Sequence, residues 1–383
     1  NCEPFSYQTG WKKHVAKAYK EALKIPVIAT NTIKDPDFAE ELLNEGICDF
    51  VGLGRSQLAD PYFMEKARAG RSDEIRKCIG CLYCRERVLR DGMPIRCAIN
   101  PIAAREIDFS ELKKDGHGRR VAVIGGGPAG MEAAQILAQR NFNVTLFEKE
   151  DKLGGTLNIA DKPPLKDKLT CLRDTMINQL KKAGVTVQLQ HPAGVQEICS
   201  MKPTGVVVAC GAKPIIPNMP GIDGNNVYTA EAVVAGRVKP KGRIAVVGTG
   251  LTGLETAELL CQQGHKVLLV EMASEIGPGI FPAIRNDELS RLLPYNPDIY
   301  TGHRLLEVNK QGVVVEKLST GEQLSLVADS IVLALGVKPD TEITDALVEA
   351  LPDVNIRTIG DARRGGRIAD AIRDGFEVGY TFK

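Results

Sequence analysis

The sequence predicts an α/β protein with parallel sheets and two nucleotide-type cradles, and three observations carry this. Segments 119–150 and 242–272 each run strand, glycine-rich turn, helix, strand and terminal acid. Their strands are short continuous apolar runs, as in sheets covered by helices on both faces. The 383 residues suffice for two or three domains. Composition agrees: 43% hydrophobic and 25% charged residues are ordinary for a globular chain. A net charge of +1 gives no reason to expect nucleic acid or a membrane surface as partner. No run approaches the ~20 apolar residues of a membrane span, and no secretory signal is visible.

Taken in order, the first ten residues, NCEPFSYQTG, show no helix or strand period. Residues 11–23 predict an amphipathic helix with Val15, Ala16, Tyr19 and Leu23 on one face. Ile25–Thr30 reads as a buried strand, Asp35–Asn44 as a helix opened by Asp-Pro, and Asp49–Gly54 as another buried strand. Two βα units cannot close a parallel sheet, so the chain reads as lacking that sheet's beginning.

Next comes Cys78-x2-Cys81-x2-Cys84-x12-Cys97. Three thiolates within seven residues and a fourth on the same loop can surround one metal centre. Soft ligands so close select an iron–sulfur cluster or zinc, and four suit a [4Fe–4S] cluster held by Cys alone. A structural zinc knuckle is the alternative, although the second Cys pair is too wide for two x2 knuckles. Arg85, Arg87, Arg90 and Arg96 surround the loop and would raise a cluster's potential, or else form a solvated basic face. The other cysteines (Cys2, Cys48, Cys171, Cys199, Cys210 and Cys261) sit in apolar, core-like surroundings. Together these favour a reducing cytoplasm over secreted disulfides.

In 119–150, Val121–Ile124 runs into Gly125-x-Gly127-x-x-Gly130, then a helix, then Asn143–Phe147 ending in Glu148. The glycines let backbone approach a pyrophosphate at a helix N-terminus, and Glu148 suits the ribose hydroxyls. In 242–272 the same places are taken by Gly248, Gly250, Gly253 and Glu271. A carboxylate there repels a 2′-phosphate, which favours NADH over NADPH. The buried strands 204–214 and 330–340 each end in Gly and then Pro.

The words IPVIATNTIKDP and DFVGLGRSQLADPYF resemble strands seven and eight of the old yellow enzyme type of (β/α)8 barrel. The resemblance implies that Gly54 and Arg55, with Thr30 and Asn31, hold an FMN phosphate; the plain reading of GLGR is a strand-ending turn. TIGDARRGG (358–366) resembles the Gly-Asp element closing an FAD site, which implies Asp361 at the ribityl chain. No redox dithiol lies in 154–169 or in the second fold, unlike the flavin disulfide reductases. The order of parts, with NPIAARE, GGTLN and MPGIDGNNVYTAEAVVAG, resembles the iron–sulfur flavoenzyme family of 2,4-dienoyl-CoA reductase, 2-enoate reductase and trimethylamine dehydrogenase.

That resemblance implies the C-terminal end of an FMN barrel (1–77), a cluster segment (78–110), a discontinuous FAD domain (111–220 and 336–383) and a nested NAD(P)H domain (221–335). It places Gly155 of GGTLN with FAD. The expected cofactors are a [4Fe–4S] cluster, FAD, FMN and NADH. The implied activity is a relay from NADH through FAD and the cluster to FMN, reducing an activated C=C bond of a small-molecule substrate. An amine dehydrogenase or N-demethylase, and a bare electron-transfer module, stay open as alternatives, as does a homo-oligomer.

Overall fold

The computed structural model describes residues 3–383; the readings of Asn1 and Cys2 lie outside them. The chain forms two compact units, one of residues up to Leu157 with 167–212 and 339–383, the other of 158–166 and 213–338. The segment before the first nucleotide fold is not set apart from it, and 158–166 goes with the second unit. Lys166 explains the latter: its buried ammonium lies 2.5 Å from Glu255 and 3.5 Å from Glu288.

At the front of the first unit, strand Ile28–Ala29 pairs in parallel with Phe50–Val51 around helix Pro36–Asn44. Asp35 caps that helix by accepting from the Asp37 N–H at 3.0 Å, and Pro36 needs no donor at the first helical position. Both strands are shorter than their apolar runs suggest. Helix Lys13–Ala22 forms, but Val15, Tyr19 and Leu23 stay exposed. Two strands give too little sheet to cover an apolar face; even the cross-strand pair Ile28 and Phe50 is about 60% exposed.

The rest of the first unit is a five-stranded parallel sheet in the order Asn355–Thr358, Gly205–Val208, Arg120–Ile124, Asn143–Phe147, Thr186–Gln188. Val121, Val123, Val206 and Val207 are wholly buried, which is why these strands read as unbroken apolar runs. Helix Pro128–Gln139 packs against helix Ile368–Thr381 so closely that a Cβ on Gly375 would lie 2.3 Å from the Ala129 carbonyl oxygen. Of the cysteines expected in the core, Cys48 and Cys261 are buried, Cys199 and Cys210 half-buried, and Cys171 exposed. Cys171 lies off the stripe Leu169, Leu172, Met176 and Leu180 that helix Asp167–Lys182 buries.

The cysteine segment is joined to the helices Pro128–Gln139 and Asp167–Lys182 by Arg76. Its side chain donates to the Ile99 carbonyl (3.0 Å), Glu132 Oε2 (2.6 Å) and Gln179 Oε1 (2.8 Å), and its backbone N–H bonds Asp60 Oδ2 at 3.0 Å.

In the second unit, a parallel sheet runs Asp298–Thr301, Val267–Glu271, Ile244–Val247, Ser330–Leu333, Val227–Thr229. The antiparallel meander His303–Asn309, Gly312–Lys317, Glu322–Val327 packs its buried residues Val313 and Val315 against Val247 and Leu268. Helices Leu251–Gln262 and Pro282–Leu292 lie along this unit, joined by Arg291 and Glu258 at 2.9 Å.

Removing one partner of a buried ion pair strands the other. Arg76→Ala should therefore destabilise the first unit by about 3–5 kcal/mol, read as a lower urea midpoint at unchanged slope. A midpoint within error of the parent would refute the role of Arg76.

Candidate functional site

Cys78, Cys81, Cys84 and Cys97 line one small enclosed chamber, closed by Leu58, Ile79, Leu82, Ala98, Ile99 and Arg55. Two backbone outliers shape the loop: Gly80 at φ +74° and, less usually for a branched side chain, Leu82 at φ +55°. Leu82 then starts helix Tyr83–Leu89, which carries Cys84. Burial pushes the Cys97 thiol up to about 12, and the neighbouring Cys78 and Cys84 add to the rise. Burial and the nearby Cys97 push Cys81 higher still. Backbone groups of Tyr83 at Cys81, and of Ile99 and Asn100 at Cys97, favour the thiolates.

This donor set fits a metal centre. Thiols crowded in a dry chamber stay protonated alone, and a bound cation displaces their protons. Among the described residues, no group of three or more His, Cys, Asp or Glu is gathered as a single-ion site. Of the surrounding arginines, Arg87 pairs with Asp91 at 3.8 Å and Arg90 with Glu86 at 2.6 Å. Both acids lie in the same segment, whereas Arg96 buries its Nε with no hydrogen-bond partner among the described residues.

Beside the chamber, residues 30–34 and 52–56 line a cavity of about 450 Å³. Asn31 and Thr32 both adopt left-handed backbone, at φ 76° and 52°, a conformation that costs free energy for such residues and collects at binding sites. Gly52 keeps the floor open, since a Cβ there would lie 2.8 Å from Thr30 Cγ2. Gly54 heads helix Arg55–Ala59 with no side-chain cap. Arg55 lines both cavity and chamber. Its guanidinium donates to Glu3, to the backbone oxygen at 2.8 Å and the carboxylate at 2.7 Å. Part of its donor fork is thus held by Glu3, an acid the sequence did not single out.

In the first nucleotide fold, Gly125 turns at φ +107°. A Cβ on Gly130 would lie 1.9 Å from the Gly125 oxygen, so helix and turn touch through glycine alone. Gly127 caps helix Pro128–Gln139 without a side-chain bond, leaving first-turn N–H groups for an anion. Glu148 is buried, accepting from the Gly126 N–H at 2.8 Å and the Glu150 N–H at 2.9 Å. Gly155 faces Gly127, where a Cβ would come within 2.9 Å of the Gly127 Cα. Gly360 lies against Ala129 on the same helix start, which brings Asp361 to the cradle. Asp361 accepts from the Gly366 N–H at 2.9 Å, and burial holds its carboxyl above the usual range.

The second fold repeats this geometry. Gly248 turns at φ +94° and a Cβ on Gly253 would lie 2.0 Å from its oxygen. Gly250 caps helix Leu251–Gln262 with no side chain. Glu271 accepts from the Thr249 N–H (2.8 Å), the Thr249 hydroxyl (2.7 Å) and the Ala273 N–H (2.8 Å). Thr249 is wholly buried and also accepts from the Gly277 N–H at 3.1 Å. Thr249, Glu3, Arg76 and Lys34 were not visible as site residues in the sequence. Thr249 alone had a local signal, a hydroxyl replacing Gly126 of the first fold.

Residues 119–358 match the pyridine nucleotide-disulphide oxidoreductase family, and residues 1–74 the NADH:flavin oxidoreductase / NADH oxidase family. An NADH oxidase of Thermoanaerobacter brockii is 37% identical over 385 residues, covering 99% of this chain and 58% of that protein. A cinnamate reductase of Clostridium sporogenes is 33% identical over 377 residues, covering 96% and 55%. A solved 2-naphthoyl-CoA reductase with bound 2-naphthoyl-CoA superposes with a TM-score of 0.94 at 27% identity, covering 100% of this chain and 58% of that one. The chain thus spans between 55 and 58% of the length of these proteins. Among the described residues no helix is long and apolar enough to cross a membrane.

Thr249→Val removes one bond to Glu271 and leaves the Gly277 N–H without its acceptor. The expected cost is about 1–3 kcal/mol, seen as faster hydrogen exchange in helix Leu251–Gln262. Exchange at the parent rate would rule out this bracing.

Proposed function

Because the chain belongs to the pyridine nucleotide-disulphide oxidoreductase family and carries a match to the NADH:flavin oxidoreductase family, we propose that it serves an NADH-dependent iron–sulfur flavoprotein. Electrons would pass from NADH through FAD and a [4Fe–4S] cluster to FMN, reducing an activated C=C bond of the enoate or enoyl-CoA kind. One observation supports this most: Arg55 is a common wall of the four-cysteine chamber and the 450 Å³ cavity, so a cluster and a flavin phosphate would be direct neighbours. The relatives' names, an NADH oxidase and a cinnamate reductase, support the donor and the acceptor class.

When bound, a flavin would accept or deliver two electrons as hydride and exchange them singly with a cluster that carries one at a time, and that chemistry is the cofactors' own. The chain supplies placement. Gly125, Gly127 and Gly130 open a cradle for the FAD pyrophosphate, with Glu148 at the adenosine ribose, Gly155 beside the turn and Asp361 at the ribityl chain. Gly248, Gly250 and Gly253 do the same for NADH. Thr30, Asn31, Gly54 and Arg55 would hold the FMN phosphate, and the four thiolates the cluster. The dithiol implied by the family's name has no counterpart in 154–169, and Cys261 is alone in the second fold. Electrons would therefore leave FAD by the cysteine chamber.

Cys84→Ala should lower iron toward zero in anaerobically purified protein, while NADH still bleaches the FAD at the parent rate. Zinc in place of iron in the parent would overturn the cluster reading.

Glu271 sets nucleotide choice. A 2′-phosphate beside its carboxylate meets repulsion of a few kcal/mol at an effective dielectric of ~20, which is at least about tenfold in affinity. Reduction of the FAD should show that preference for NADH, and Glu271→Ser should narrow it. Equal rates with NADPH in the parent would remove Glu271 from this role.

A further inference from the structure

Among the described residues, the deeply buried cations come with acids, with one exception. Lys166 has Glu255 and Glu288, Arg76 has Glu132, and Arg140 has Asp115 at 2.8 Å. Lys34 is only 6% exposed and makes no hydrogen bond or ion pair with any described residue. Two acids of the same region are already engaged: Glu3 by Arg55 and Lys12, and Asp35 by Lys77.

An unpaired buried ammonium is costly unless a negative group stands opposite. Lys34 lines the cavity of residues 30–56, and its Nζ lies 3.4 Å from where a Cβ on Gly80 would sit. Gly80 is the residue before Cys81, so the ammonium also stands against the cysteine loop. Burial holds the Lys34 ammonium below the usual lysine range, and Lys168 and Arg55 nearby add to this, so its charge calls for a negative group on the side of the cysteine loop. The anion it lacks among the described residues would be brought to the chamber by a cluster on the four thiolates.

We propose that Lys34 is a positioning residue for charge at the chamber, setting the reduction potential of the cluster held by Cys78, Cys81, Cys84 and Cys97. This rests on the cluster reading above. A four-thiolate cluster is net negative and gains one further negative charge on reduction, so a fixed cation beside it favours the reduced state. At an effective dielectric of ~20, a unit charge within about 10 Å is worth roughly tenfold in that equilibrium.

The test is a dye-mediated redox titration of the full protein, followed by the electron paramagnetic signal of the reduced cluster, with iron and FMN counted in each sample. Lys34→Met keeps the apolar stem and removes the charge. At any fixed potential its ratio of reduced to oxidised cluster should fall about tenfold, a midpoint lower by about 59 mV for one electron. Lys34→Gln, run in parallel, separates loss of charge from a packing fault of one side chain. Lys77→Met should move the midpoint by less than half as much, because the Lys77 ammonium is already paired with Asp35. A neutral Lys34 variant with full iron at the parent potential would overturn the inference, and loss of FMN in that variant would assign Lys34 to the flavin phosphate instead. Absence of any cluster signal in the parent would overturn the cluster reading, and this inference with it.

Discussion

The guanidinium of Arg76 ties together three parts of the first unit that lie far apart in the chain. Its planar fork of donors suits several acceptors at once. The Ile99 carbonyl lies two residues past Cys97, Glu132 lies on the helix that opens the first nucleotide cradle, and Gln179 lies on the next helix. Arg76 itself lies two residues before Cys78. Both ends of the cysteine loop are thus pinned to the helix on which the cradle's N–H groups converge. A lysine at this place would offer one point charge in place of the fork, and the three segments would lose their common reference.

Electrostatics in the cysteine chamber follow from the same economy of partners. Two of the four arginines in the loop sequence find acids in their own segment, Arg87 with Asp91 and Arg90 with Glu86. Glu86 also receives Arg367 at 2.7 Å, from the residue that precedes helix Ile368–Thr381. Charge count along the sequence therefore says little about the field in the chamber. What matters is which charges lack a counter-ion, and those are few.

Much of the architecture was legible because its causes are local. A turn that needs positive φ, as at Gly125 and Gly248, leaves a glycine, and a helix touching that turn leaves another at Gly130 or Gly253. Strands buried on both faces leave unbroken valines. The misses share the opposite property. Glu3 with Arg55 and Arg76 with Glu132 are 52 and 56 residues apart, and a single charge has no period to betray its partner. Strand lengths at the front failed for a related reason: apolar runs report what a segment can bury, whereas pairing depends on how many neighbours it finds. The helix bearing Cys171 shows the same limit on a smaller scale, since its buried stripe is readable only once its start is fixed.

Both strand-end acids hold up their own turns before any ligand is considered. Glu148 receives the Gly126 N–H, and Glu271 the Thr249 N–H and hydroxyl. Each acid would be retained by selection on folding even in a descendant that had stopped using the nucleotide. The fingerprint of such a cradle is therefore slow to erode, and a lineage can carry it long after the occupant is gone, much as a keystone outlasts the traffic through its arch.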